Sequence, residues 1–165
     1  MNAIFRYANP TDGELQIYGT LCFLAGFDPY LKHKTGRELE DLLLTPSRLG
    51  LTWIYRDPTG KPLGALIFAY LDEEHEQRLF NDEALRGPRA WMSGNNLWVI
   101  AMMSPFIDGR KPAREFIVNG TGGLVFSYVR RDSIGALTHF VRCSPTAAGR
   151  YTMRRHKLSE GSREL

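Results

Sequence analysis

Apolar positions along the chain fall first into a helical spacing. Thr11 and Glu14 in Thr11-Asp12-Gly13-Glu14 are spaced as a capping box, and Leu15, Tyr18, Leu21, Cys22 and Ala25 follow on one helical face. Thr35-Gly36-Arg37-Glu38 repeats the box ahead of Leu39, Leu42 and Leu43, with Pro46 and Gly50 predicting the end of that second helix. The spacing then changes. Thr52 to Arg56 has strand composition, Asp57-Pro58-Thr59-Gly60 reads as a turn, and Leu63 to Leu71 returns as an apolar strand. Residues 72–90 are polar, with room for a short helix. Leu97 to Met103 is a continuous apolar run, which predicts a strand buried on both faces. Pro112 to Val118 predicts a short helix with proline in its first turn and Asn119-Gly120 as its stop. Leu124 to Arg131 and Ala136 to Arg142 predict a second hairpin around Asp132-Ser133-Ile134-Gly135. The order predicts an α/β chain with a mostly antiparallel central sheet flanked by helices.

Composition narrows this picture. A length of 165 residues with 43% hydrophobic content suits one domain with its own core and excludes whole-chain disorder. No G-X-Y or heptad period is present, which excludes a collagen-like or coiled-coil rod. The formal charge of +3 is unevenly placed. Residues 141–165 hold six basic and two acidic residues, and the rest of the chain is close to neutral. The expected organisation is a folded domain over residues 1–143 and a basic, flexible tail over 144–165. Such a tail favours acidic partners.

Two cysteines, Cys22 and Cys143, are too few for a disulfide scaffold and lack the clustering of a zinc site, so reduced thiols and no metal are expected. The first residues lack a secretory-signal pattern and no apolar run is long enough for a membrane span, which predicts a cytoplasmic protein. Phosphate-loop, dinucleotide, zinc-protease and serine-hydrolase motifs are absent. No nucleic-acid recognition motif occurs in the body, so nucleic acid ranks last among the partners considered.

Four histidines remain as candidate chemistry. His75 lies in an acidic, polar stretch that predicts solvation, His139 lies in a strand, and His156 lies in the basic tail. His33 sits in Asp28-Pro29-Tyr30-Leu31-Lys32-His33-Lys34, between the two helices and just ahead of the second capping box. Imidazole in a loop at a helix start is the residue type that general-base catalysis uses most often. A surface-loop histidine is the alternative.

The stretch Trp91-Met92-Ser93-Gly94-Asn95-Asn96-Leu97-Trp98-Val99-Ile100-Ala101-Met102-Met103-Ser104-Pro105-Phe106 resembles a signature of the RTX-toxin-activating lysine acyltransferases, the hemolysin C type. In that family a tryptophan precedes S/C-G, and an apolar strand ends in Ala-Pro-Phe. Other segments are similar in order and spacing: Tyr18-Gly19 through Pro29, Arg56-Asp57 to Ala65, and Phe126 to Asp132. The resemblance spans roughly residues 14–143.

It implies a GNAT-like acyltransferase fold. It implies transfer of a fatty acyl group from acyl carrier protein to a lysine ε-amine of a protein acceptor, in the cytoplasm, with no bound cofactor or metal and with a homodimer possible. The family's catalytic histidine falls on Leu31 in a gapless match, and on His33 if the loop carries two extra residues. The family's catalytic aspartate falls on Ala101, and Asp108 is the nearest acidic replacement. The expected catalytic residues are therefore His33 and Asp108. Arg110, Lys111 and Arg114, with the strand arginine Arg130, are expected to bind acyl-ACP. The substitution at Ala101 also motivates a second reading, a non-catalytic, carrier-protein-binding or regulatory relative.

Overall fold

Both capping boxes form, and each starts the helix its spacing predicts. Thr11 N–H donates to Glu14 Oε2 (2.6 Å) and Glu14 N–H donates to Thr11 Oγ1 (3.3 Å), opening α1 at Asp12–Ala25. Thr35 and Glu38 make the same exchange at the start of α2, Gly36–Leu39. The computed structural model of the chain describes residues 10–132 and 135–158.

Of the two residues expected to end the second helix, Pro46 lies within it and Gly50 ends it. The helix passes through a π turn at Glu40–Leu44 into α3, Thr45–Leu49, and ends at Gly50, whose φ of +69° suits glycine. Pro46 stands in the first turn of α3, where the missing N–H costs least, and the wide turn before it makes room for its ring.

Among the described residues six strands form one sheet in sequence order: β1 Thr52–Arg56, β2 Pro62–Leu71, β3 Asn96–Met103, β4 Phe126–Arg131, β5 Leu137–Pro145 and β6 Tyr151–Lys157. Every neighbouring pair is antiparallel except β3 and β4, which are parallel. Parallel neighbours need a crossover. Here it is α6, Arg110–Glu115, continued by a π turn at Phe116–Gly120. Between β2 and β3 lie α4, Glu73–Phe80, and α5, Gly87–Trp91.

Alternation along β2 splits the core. Ala65, Ile67, Ala69 and Leu71 face Leu21 and Leu24 of α1 and Trp91 of α5, while Leu66 joins Leu97, Val99, Phe116 and Phe126 on the opposite face. Helices α1 to α5 thus cover one face and α6 covers part of the other. Burial on both faces of β3, expected from its continuous apolar run, holds for Leu97, Trp98 and Val99. It fails at Met102, which is 44% exposed.

The expected tail is also corrected. Residues 146–150 form a turn, with Thr146 N–H donating to Arg150 O (2.7 Å), and residues 151–157 pair along β5 as the sixth strand. Tyr151 O–H donates to Leu124 O (3.2 Å), tying this strand back to the start of β4. Its sequence, Tyr-Thr-Met-Arg-Arg-His-Lys, lacks the alternation that marks a half-buried strand because it lies at the sheet edge, largely exposed. Residues 159–165 and the first nine lie outside the described residues, as do Ser133 and Ile134 of the second predicted turn.

Candidate active site

The sheet opens at its one parallel joint. Leu97, Trp98 and Val99 of β3 pair with Phe126, Ser127 and Tyr128 of β4, and pairing stops there although β3 runs on to Met103 and β4 to Arg131. Ile100 is skipped in the β2–β3 register, a bulge that bends β3 where it leaves β4. A cleft of about 1500 Å³ occupies this region. Ile100, Ala101 and Met102 line it from β3, and Tyr128, Val129 and Arg130 from β4. Strand backbone released from pairing offers amides and carbonyls to an extended ligand. Its lining mixes apolar residues such as Leu79, Leu85, Val99 and Phe126 with charged ones such as Lys34, Glu38, Arg86 and Arg130, a wall that suits a hydrocarbon chain with a polar head.

The residues expected to act together are not joined. His33 ends a 3₁₀ turn, Leu31–His33, and is exposed. Tyr30, Leu31 and Lys34 around it line the cleft, and His33 is not among the lining residues. Leu31, where the gapless match puts the family's histidine, is buried. Asp108 does line the cleft. Its carboxylate is held by Arg110, whose Nη2 lies 2.7 Å from Oδ2 and whose backbone N–H donates to Oδ1 (3.0 Å). Hydrogen bonding to the Arg110 side chain, then to its backbone N–H, pulls the Asp108 carboxyl down to about 2. Among the described residues no hydrogen bond joins His33 to Asp108.

Arg110, Lys111 and Arg114 all fall on the exposed side of α6 and its entry, and Arg110 borders the cleft. Arg130 lines the cleft with its guanidinium over the Tyr128 ring, 5.2 Å from the centroid. Its neighbour Arg131 has a different task. It binds Asp82 through both terminal nitrogens (2.6 and 3.1 Å), donates to Gly135 O (2.8 Å) and lies over the Tyr30 ring. Arg131 thereby ties the α1–α2 loop, the end of α4 and the second hairpin together around the cleft.

The Trp-Met-Ser-Gly stretch builds a feature that sequence reading missed. Trp91 is buried, and its Nε1–H donates to Leu85 O (3.2 Å). Ser93 Oγ accepts from Asp72 N–H (3.1 Å), and Gly94 lies so close that a Cβ there would fall 2.5 Å from Asp72 N and from Leu71 O. This contact fixes the start of α4. Asp72 caps that helix, accepting from His75 N–H (2.9 Å), and the same oxygen lies 2.7 Å from His75 Nδ1. His75 is not solvated as expected: it is half-buried and lines the cleft. Asp72 engages the ring through Nδ1, so Nε2 is the ring nitrogen that this contact does not use. The backbone N–H and then the ring of His75 hold the Asp72 carboxyl below its ordinary range. An Asp three residues before a His at the mouth of a helix was the signal available in the sequence.

A mostly antiparallel sheet flanked by helices, with a cleft where its parallel joint parts, is consistent with a GNAT-like acyltransferase fold. Over residues 11–139 the chain matches the HlyC family, and it belongs to that RTX toxin acyltransferase family. A similar protein is the lysine-acyltransferase RtxC of Vibrio cholerae serotype O1, 23% identical over 116 residues that span 70% of this chain and 76% of the relative. Among the described residues no helix is long and apolar enough to cross a membrane.

Proposed function

We propose that this acyltransferase takes a fatty acyl group from acyl carrier protein in the cytoplasm and places it on a lysine ε-amine of a protein substrate, an RTX-type toxin. The observation that carries the reading is the cleft at the parted β3–β4 joint, whose lining holds both apolar residues and an imidazole engaged by Asp72. The family and the similar lysine-acyltransferase support the same reaction class.

The chemistry asks little beyond placement and a base. A thioester carbonyl is already activated, but a lysine amine is protonated at neutral pH and attacks only after losing a proton. In our reading Nε2 of His75 takes that proton, with Asp72 stabilising the imidazolium. The amine nitrogen bonds to the carbonyl carbon, the C–S bond breaks, and the proton passes to the departing thiolate. Free strand amides in the cleft serve as donors to the developing oxyanion. His33, exposed on the turn beside the cleft, is the competing candidate for the base. Arg110, Lys111 and Arg114 present the positive surface that an acidic carrier protein would meet, and Asp108 positions Arg110 within it.

Mass spectrometry of the protein mixed with acyl-ACP and a lysine-bearing toxin fragment tests the reaction. The proposal predicts an added acyl mass on the fragment. A stable complex with the carrier and no mass change would instead favour the non-catalytic, carrier-binding reading that Ala101 suggests.

A further inference from the structure

Beside the cleft, β4, β5 and β6 form an open cavity of about 490 Å³ on one sheet face. Tyr128 and Val141 line it, which places it on the sheet face that α6 partly covers. Its polar lining is basic: Arg130, Arg131, His139 and Arg155, with Thr138, and among the described residues no carboxylate. The strand register makes this arrangement. Arg130 stands opposite His139 across β4 and β5. Lys157 stands opposite His139 across β5 and β6, and Arg155 lies two residues along on the same face. Like charges brought together across strands destabilise a sheet unless something between them carries the opposite sign.

The neighbouring arginines are balanced within the protein. Arg131 has Asp82 and Arg110 has Asp108. Among the described residues Arg130 and Arg155 make no salt bridge. His139 feels both: burial, then the charge of Arg155, then that of Arg130, push its imidazole below the ordinary value. Thr138 Oγ1 donates to Arg130 O (3.1 Å) and lies 2.9 Å from His139 Nδ1, so Nδ1–H donates to it and Nε2 remains open.

Two guanidinium forks and an imidazole around one small cavity match an oxygen-rich anion with several acceptors better than a single carboxylate. The cavity shares Tyr128, Arg130, Arg131 and Met153 with the cleft, so its occupant would lie at the cleft wall. Arg155 also lies beyond residues 11–139, the part of the chain that matches the family. We propose that Arg130, His139 and Arg155 form a binding site for a phosphate group, completed by the sixth strand. The source is the phosphate of a pantetheine arm entering the cleft or a phosphate bound on its own. Only the first of these rests on the acyl-donor reading.

Calorimetric titration of the full chain with 4′-phosphopantetheine, pantetheine and inorganic phosphate tests the site without requiring acyl transfer. The expected result is 4′-phosphopantetheine binding about tenfold tighter than pantetheine, the scale of one charge-assisted contact, with the gap shrinking as salt rises. Arg155→Ser should close the gap, and an unchanged melting temperature would show that this exposed edge position leaves the fold intact. Arg130→Gln repeats the test should that variant misfold. Inorganic phosphate binding as tightly as 4′-phosphopantetheine would uphold the site and assign it to phosphate alone. In NMR, saturating phosphate should move the His139 titration to higher pH, against the opposing charges of Arg130, Arg155 and Lys157. Equal affinity for the two pantetheines together with no binding of inorganic phosphate, or a gap undiminished in Arg155→Ser, would overturn the proposal.

Discussion

At position 94 the backbone of one loop lies against the end of β2 with no room for a side chain. Gly94→Ala should therefore cost about 1–3 kcal/mol, the range for overpacked sites, as measured by chemical denaturation. A neutral substitution would contradict the close approach. The same contact leads through Ser93 and Asp72 to His75. The Asp72 carboxyl is held low by the His75 N–H and ring, so its contribution to stability is present above its unfolded value of about 4 and is lost as pH falls through the lowered one. It is accordingly ionised at neutral pH and able to orient the ring. Cys143 is fully buried, and burial raises its thiol to about 11. It should resist alkylation at pH 8 in the native protein and react once denaturant is added; rapid native labelling would place it elsewhere. The family resemblance pointed to His33, the histidine nearest Leu31, where a gapless match puts the family's own. His75 was passed over because its flanking acids resemble a solvated face. Which ring lines a cleft depends on how α4 packs, and that is set by Ser93 and Gly94, some twenty positions away.

Among the elements, those with local causes were readable. Each capping box is closed by two hydrogen bonds within four residues, so Thr and Glu at the right spacing were sufficient to place α1 and α2. Thr35→Ala should remove one of these bonds and cost about 1 kcal/mol in equilibrium unfolding, with a range of about 0.5–2 kcal/mol for lost caps. No loss at all would mean that packing of Leu39 and Leu43 holds the helix start without its cap. The π turns at Glu40–Leu44 and Phe116–Gly120 have no comparable local signature. The first carries the helix past Pro46 to Gly50, the second of its two expected stop signals. Strand β6 was hidden for a related reason. A strand is recognised by its buried face, and this edge strand has six exposed residues out of seven.

Across the whole molecule, alternating apolar segments were enough to predict a mostly antiparallel sheet under helices. They could not predict where that sheet opens, because the parting of β3 and β4 depends on a bulge at Ile100 and on pairing between distant strands. The basic C-terminal segment changes meaning in the same way. As β6 it covers the edge of β5, and Tyr151 packs on Phe126 with its hydroxyl near Thr121 and Leu124. Truncation after Pro145 should lower the melting temperature and broaden the transition, because it bares the β5 edge and the Phe126 ring together. An unchanged melting curve would restore the flexible tail expected over residues 144–165.

Base catalysis from the wall of the cleft is the central claim, and single-turnover acyl transfer by His75→Ala and His33→Ala tests it most directly. The account predicts a loss of about 10²–10⁴-fold in His75→Ala, the usual worth of a general base, with a smaller loss in Asp72→Asn and a rate near that of the unaltered protein in His33→Ala. The reverse order, with transfer abolished in His33→Ala and intact in His75→Ala, would contradict it.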